Sequence, residues 1–225
     1  MTGMSDTLQL ALILLPCLII AIVFHEVAHG WAALALGDPT AKEQRRLTLN
    51  PLRHVDPVGT IILPGFLAMV GAPVFGWAKP VPVNAARLDN PRLGMMAVAA
   101  AGPATNLVLA LIGAAALGIF SAVSTPGALV TQGLYSFILI NLFIGLFNLL
   151  PIPPFDGSHI VEGAMPPHWA AQYEKLRPYG MVLFFGLIAI AWAFPAFDII
   201  SRLIGPPVQW LLGHYLGFAA LFGGG

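Results

Sequence analysis

LQLALILLPCLIIAIVFHEVAHGWAALAL, residues 8–36, is an almost unbroken apolar run with His25, Glu26 and His29 set inside it. A helix needs about 20 apolar residues to cross a ~30 Å hydrocarbon core, and this run exceeds that length. Ionisable side chains within such a helix are costly, so a cluster of them implies a role. The i, i+4 spacing of the two histidines puts both imidazoles on one helix face, one turn apart.

Working outward, the rest of the 225-residue chain has the same character, with 58% hydrophobic and only 9% charged residues. A soluble domain carries about 25% charged residues. Further apolar segments at 93–123, 132–150, 181–197 and 203–222 are each close to span length. The sequence therefore predicts an all-α polytopic membrane protein with about five to six transmembrane helices and the lipid bilayer as its solvent. Pro195, Asp198 and the Gly205-Pro206-Pro207 run blur the ends of the last two segments. Ten basic and ten acidic residues give a net charge of zero, which leaves no long basic face and excludes nucleic acid as a partner. The chain reads as one membrane-embedded domain over 1–225, with a core at about 8–160 and additional helices at about 180–222; its polar stretches are too short for an appended soluble module. Cys17 is the only cysteine and reads as a packing residue. Asp6 is the only charge before the first apolar run, so that run is expected to be a retained helix rather than a cleaved signal.

A sixth apolar stretch, 58–77, is interrupted by Pro64, Gly65, Gly71 and Pro73 and flanked by the polar pieces AKEQRRLTLNP (41–51) and AKPVPVN (78–84). These flanks predict a small β element, confined by its prolines to an edge or a bulge. If 58–77 enters the membrane and returns, Lys42, Arg45, Arg46, Arg53, Lys79, Arg87, Arg92, Lys175 and Arg177 share one face and only Arg202 lies on the other. A spanning 58–77 would split the basic residues almost evenly, against the positive-inside tendency. A re-entrant segment is therefore expected, with the N-terminus outside and the basic face in the cytoplasm. Such an element should border a protein-lined or wet cavity.

Two neutral imidazoles placed like His25 and His29 can hold one zinc ion, and Glu26 sits where it could take a proton from a water that the metal activates. Zinc lowers the pKa of such a water to about 7, which is what a hydrolase gains from the metal. A catalytic zinc wants three protein ligands and an open position, so one more ligand must come from elsewhere. Asp156, in FNLLPIPPFDG (147–157), is the candidate, in a Pro-rich stretch that cannot be regular helix. Alternatively it is a solvated turn residue. Topology favours the ligand reading: with 58–77 re-entrant, the helices holding His25 and leading to Asp156 run in the same direction, and both groups reach the same face.

HEVAHG (25–30), AGPATN (101–106) and FNLLPIPPFDG resemble, in order, the motifs of the site-2 protease family of intramembrane zinc metalloproteases, over about residues 20–160. LNPLRHVDPVGT (49–60) and GWAKPVPVN (76–84) resemble the compact prokaryotic branch that lacks a PDZ domain. The resemblance implies His25, His29 and Asp156 as zinc ligands and Glu26 as general base, in a prokaryotic inner membrane. It also suggests Asn148 as a donor to the oxyanion, against the alternative that Asn148 satisfies backbone groups freed where the helix breaks before Pro151. Asn106 and Asn141 read as interhelical glue, His159 as a supporting or packing residue and His54 as a membrane-face or water-path residue. The small residues from Ala97 to Gly102 read as tight packing. A transmembrane protein substrate is expected to be held in extended form along the edge at Val81, Val83 and Asn84. The competing readings are a zinc-binding relative that does not cleave and a metal-ion transporter.

Overall fold

The computed structural model describes residues 4–71, 75–124, 126–194 and 199–222. Its helices are α1 (Met4–Ala35), α2 (Thr40–Glu43), α3 (Leu63–Met69), α4 (Pro91–Val123), α5 (Ala128–Asn148), α6 (Asp156–Ala164), α7 (Pro167–Glu174), α8 (Gly180–Ala193) and α9 (Ile199–Ala220). The long helices begin and end where the sequence dictates. The Asn90 side chain caps α4 through Leu93 N–H, and Pro91 supplies the first-turn φ. α5 stops before Pro151, Pro153 and Pro154, which can neither donate to a helix nor fit inside one.

Antiparallel packing joins α1 to α4 and α4 to α5. His25 faces Asn106 while His29 faces Val98, and Gly113 meets Phe137 and Ile138 while Gly145 meets Pro103. α1 and α5 consequently run in the same direction, with Cys17 Sγ 3.7 Å from the Gly133 carbonyl. Ala110, Ala114, Ile138, Leu142, Leu212 and Ala219 form the buried core between α4, α5 and α9.

The π-helical turn at Pro57–Ile62 runs directly into α3, making one short helix from Pro57 to Met69. By Trp77 the chain is back beside the start of that helix: Trp77 N–H donates to Gly59 O at 3.1 Å, Lys79 N–H to His54 O at 2.9 Å, and the Thr60 hydroxyl to Trp77 O at 2.9 Å. The apolar helix Pro57–Met69 is shorter than a membrane span. Ile61, Ile62, Phe66 and Met69 are all more than half exposed, as suits side chains solvated by lipid.

Two expectations need correction. No strand occurs among the described residues, so the predicted β element is absent. Pro80 and Pro82 cannot donate to a ladder, and 78–84 lies instead as a single strap tied down by side chains. Among the described residues four helices, Leu8–Ala35, Pro91–Val123, Ala128–Asn148 and Pro167–Ala193, are long and apolar enough to cross a membrane, where the sequence predicts five to six. Arg202, expected on the face opposite the other basic residues, precedes Ile204, which packs on Leu150 and Phe155 where α5 ends. α8 starts at Gly180 against Pro153, so its first residue and Ile204 of α9 both lie at the end of the bundle where α5 stops. The ends of the expected segments at Pro195, Phe197 and Asp198, and Pro73 within 58–77, lie outside the described residues.

α8 makes few packing contacts apart from an aromatic cluster. Phe184 meets Phe155 and Phe75, with ring centroids 5.3 and 5.5 Å away, and Phe185 meets Phe75 and Trp77 at 5.5 and 6.4 Å.

The turn after α2 closes as a Schellman motif, with Arg46 N–H bonding Ala41 O and Arg45 N–H bonding Lys42 O. Arg45 takes the left-handed conformation, at φ 54°, which turns Arg46 into the protein. Nearby, Asp38 is fully buried and accepts hydrogen bonds from Thr40 N–H, the Thr40 hydroxyl and Asn84 N–H. Burial pushes the Asp38 carboxyl up, but those bonds and the Arg87 charge outweigh it and hold the group below the usual carboxylate range.

Two outcomes follow from this packing. A Cβ at Gly118 would lie 2.3 Å from the Ala219 carbonyl oxygen, whereas one at Gly186 meets nothing within 4 Å. Gly118→Val should therefore lower stability by about 1–3 kcal/mol in thermal unfolding in detergent, while Gly186→Ala stays near wild type. The Asp38 contribution is present above the ordinary carboxylate pKa and is lost as pH falls through the lowered native value. Asp38→Asn should thus flatten the loss of stability between neutral and acidic pH relative to wild type, measured by the same unfolding assay.

Candidate metal centre and active site

α1 delivers His25 and His29 to the α4 side of the bundle, and the turn after α5 returns Asp156 to the same place. His25 Nε2 lies 3.0 Å from His29 Nε2 and 3.1 Å from Asp156 Oδ2, and His29 Nε2 lies 3.4 Å from Asp156 Oδ2. The three ligand atoms all lie within 4.8 Å of one another.

The other ring nitrogens decide what these atoms offer. His25 Nδ1 pairs with Asn106 Oδ1 at 2.6 Å, and His29 Nδ1 with the Val98 carbonyl at 2.7 Å. Both partners are acceptors, so each Nδ1 carries its proton and each ring in its neutral form turns the Nε2 lone pair inward. The Asn106 amide is oriented in turn, donating to Ala21 O at 3.1 Å and Asn141 Oδ1 at 3.0 Å, and Asn141 donates to Phe137 O at 2.8 Å. Asn106 and Asn141 are fully buried.

Asp156 Oδ2 is buried and has no hydrogen-bond donor. Two imidazole Nε2 atoms and a carboxylate oxygen converging within 4.8 Å suit a divalent cation, and this mixed nitrogen and oxygen set suits zinc. Gly102 on α4 makes the room. A Cβ there would stand 2.5 Å from His29 Nε2 and 2.7 Å from His25 Cε1.

Glu26 projects from the adjoining part of α1, and its Oε2 accepts a hydrogen bond from Val81 N–H at 2.8 Å. The strap is held nearby by Arg46 Nη2 donating to Lys79 O at 2.8 Å and by Asn84 N–H donating to Asp38 Oδ2 at 2.6 Å. Val81 and Asn84, expected to present an edge to substrate, thus have their N–H groups bonded inward; among the described residues Val83 N–H has no partner. Asn148 does not join the cluster. Its amide donates to Ile144 O one turn back at 2.9 Å, the bond expected where a helix breaks. His159 pairs with Arg177 at 3.3 Å, away from the three ligand atoms, and its burial followed by the Arg177 charge pushes its pKa down. His54 is buried and bonds the Thr48 carbonyl at 2.8 Å through Nε2.

The sequence is similar to known proteins over most of its length. YwhC of Bacillus subtilis, whose name assigns it provisionally to the zinc metalloproteases, is 42% identical over 190 residues, covering 80% of this chain and 84% of that protein. The chain belongs to the site-2 protease family. The family model described as Peptidase family M50 matches residues 118–190. Rip2 of Mycolicibacterium smegmatis, named in the same provisional way, is 30% identical over 167 residues, 73% of this chain and 62% of that one. No solved structure matches. The protein is accordingly a membrane metallopeptidase with zinc as its cofactor.

In the sequence Gly102 reads as tight packing, Asn106 as interhelical glue and Val81 as part of a substrate edge; their contacts with the imidazoles and with Glu26 escape that reading. Gly102 and Asn106 stand four residues apart on an apolar helix, a spacing that marks one face, but only the fold shows that this face meets the histidines. Asn106→Ala removes the acceptor for His25 Nδ1 and should weaken zinc binding about 10–100-fold in a chelator competition. Gly102→Ala should lower zinc content as well, by displacing the imidazoles themselves.

Proposed function

We propose that the protein is an intramembrane endopeptidase that hydrolyses peptide bonds in or near the transmembrane segments of substrate proteins. His25, His29 and Asp156 hold the zinc and Glu26 is the general base. The observation that carries this reading is the convergence of the three ligand atoms, with Glu26 next to His25 in the same turn of the same apolar helix. When bound, zinc supplies a Lewis acid that makes water nucleophilic near neutral pH and polarises a carbonyl.

Glu26 accepts a proton from the attacking water and passes it to the leaving nitrogen as the C–N bond breaks; the water oxygen ends in the new carboxylate. Asn148 uses one N–H on Ile144, and its amide carries a second that can serve the developing oxyanion. The substrate must be unwound locally, because an amide inside a helix is shielded by its own hydrogen bonds. Val83 N–H and the carbonyls of Pro80 and Pro82 are the strap groups that an extended substrate would meet. Lys42, Arg45, Arg46, Arg53, Lys79, Arg87, Arg92, Lys175 and Arg177 fall in the short helices, turns and helix starts that follow α1, lead into α4 and follow α5. That distribution supports a re-entrant segment at 58–77 and a site towards the cytoplasm of a prokaryotic inner membrane.

Glu26→Gln should keep a full complement of zinc while cleavage of a single-span protein substrate falls at least about 100-fold, as expected for loss of a general base. Asp156→Ala should lose both zinc and cleavage. Wild-type cleavage by Glu26→Gln, or Glu26-independent zinc flux in liposomes without cleavage, would overturn the assignment.

A further inference from the structure

Glu26 is a flexible side chain asked to hold one geometry, and α1 offers nothing that fixes it. The fixing contact comes from a segment 55 residues away, through Val81 N–H on Oε2, while Oε1 makes no hydrogen bond among the described residues. Val81 is itself 7% exposed and packed into the notch left by Gly30, where an added Cβ would lie 2.9 Å from the Val81 side chain. Lys79, two residues before it, is gripped on both sides: its N–H donates to His54 O at 2.9 Å and its carbonyl accepts from Arg46 Nη2 at 2.8 Å. Arg46 is only 7% exposed, and the Schellman turn at Arg45 aims it inward. Burial pushes the Arg46 guanidinium down while the nearby Glu26 charge raises it, so the two groups lie within electrostatic reach. Arg46 Nε is buried without a partner.

We infer that the strap at 78–84 positions the general base, with Val81 N–H fixing the Glu26 carboxylate and Arg46 holding Val81 in place through the Lys79 carbonyl. This rests on the reading of Glu26 as base. Proline at 80 and 82 suits that role: it stiffens the backbone on both sides of the single N–H that Glu26 needs and leaves it no neighbouring donor to slip to. Arg46 and Val81 are therefore positioning residues, acting through Glu26 rather than on substrate. Preorganisation of this kind appears in turnover rather than in substrate affinity.

The test compares Val81→Pro, Val83→Pro, Arg46→Met and Arg46→Lys in zinc-loaded full-length protein. The probe is an internally quenched peptide with one apolar span of about 20 residues and a Gly-Pro break near its cytoplasmic end. Val81→Pro deletes the N–H and should cut kcat on the order of 10- to 100-fold with KM little changed, the scale of a lost hydrogen bond to a charged group. Val83→Pro applies the same stiffening one bond pair along and should raise KM instead. Arg46→Met should lower kcat, with Arg46→Lys recovering part of the loss, and should speed amide exchange across 78–84 at unchanged zinc content. That exchange reading needs no cleavable probe. A rise in KM with unchanged kcat in Val81→Pro, or wild-type exchange in Arg46→Met, would overturn the inference. Full activity in Glu26→Gln would instead sink the base assignment beneath it, whereas an inactive Glu26→Gln beside a fully active Val81→Pro would sink the strap alone.

Discussion

Three lone-pair donors aimed at one point repel one another until a cation stands among them, and the rest of this structure serves to impose that arrangement. The Nδ1 protons of His25 and His29 are anchored on Asn106 and on the Val98 carbonyl, so neither ring, while neutral, can relieve the repulsion by switching tautomer to present N–H to the centre. Asp156 Oδ2 has no donor of its own. In a low-dielectric bundle such a cluster is costly when empty and strongly favourable when filled, which ties metal affinity to the integrity of the helix packing.

That packing is directional. Because α1 and α5 both pair antiparallel with α4, they run the same way, and the turn after α5 lands beside the histidines instead of a membrane thickness away. The return of the chain from Gly59 to Trp77, and of Lys79 to His54, is what allows this order of elements: α4 starts at the end where α1 finishes, with Asp89 N–H bonded to Leu36 O at 3.1 Å. α4 then contributes by subtraction at Gly102 and by addition at Asn106.

Much of this was legible in the residues. The apolar run around His25 marked a helix of membrane-span length, the i, i+4 pair marked a metal face, and the prolines after Asn148 ended α5 ahead of Asp156. Basic-residue placement predicted the parallel course of α1 and α5. What could not be read were long-range pairings. Nothing local distinguishes Asn106, which holds an imidazole, from Asn148, which bonds its own helix. The strap looked like strand because its composition alternates, yet alternation does not reveal whether a partner edge exists, and none does among the described residues. α9 was misplaced because composition shows that a segment suits lipid, not whether the helix before it reaches the other side.

The aromatic cluster around Phe184 bears on how α8 is retained. In water, expulsion of solvent would press those rings together; in hydrocarbon the surrounding acyl chains are as apolar as the rings and supply no such pressure. What remains is the quadrupolar preference of edge-to-face rings, at a few tenths to about 1.5 kcal/mol per pair. α8 is thus attached by orientation-dependent dispersion and electrostatics, a bond whose strength changes with the surrounding amphiphile, so that lipid composition becomes a thermodynamic variable of this protein's architecture.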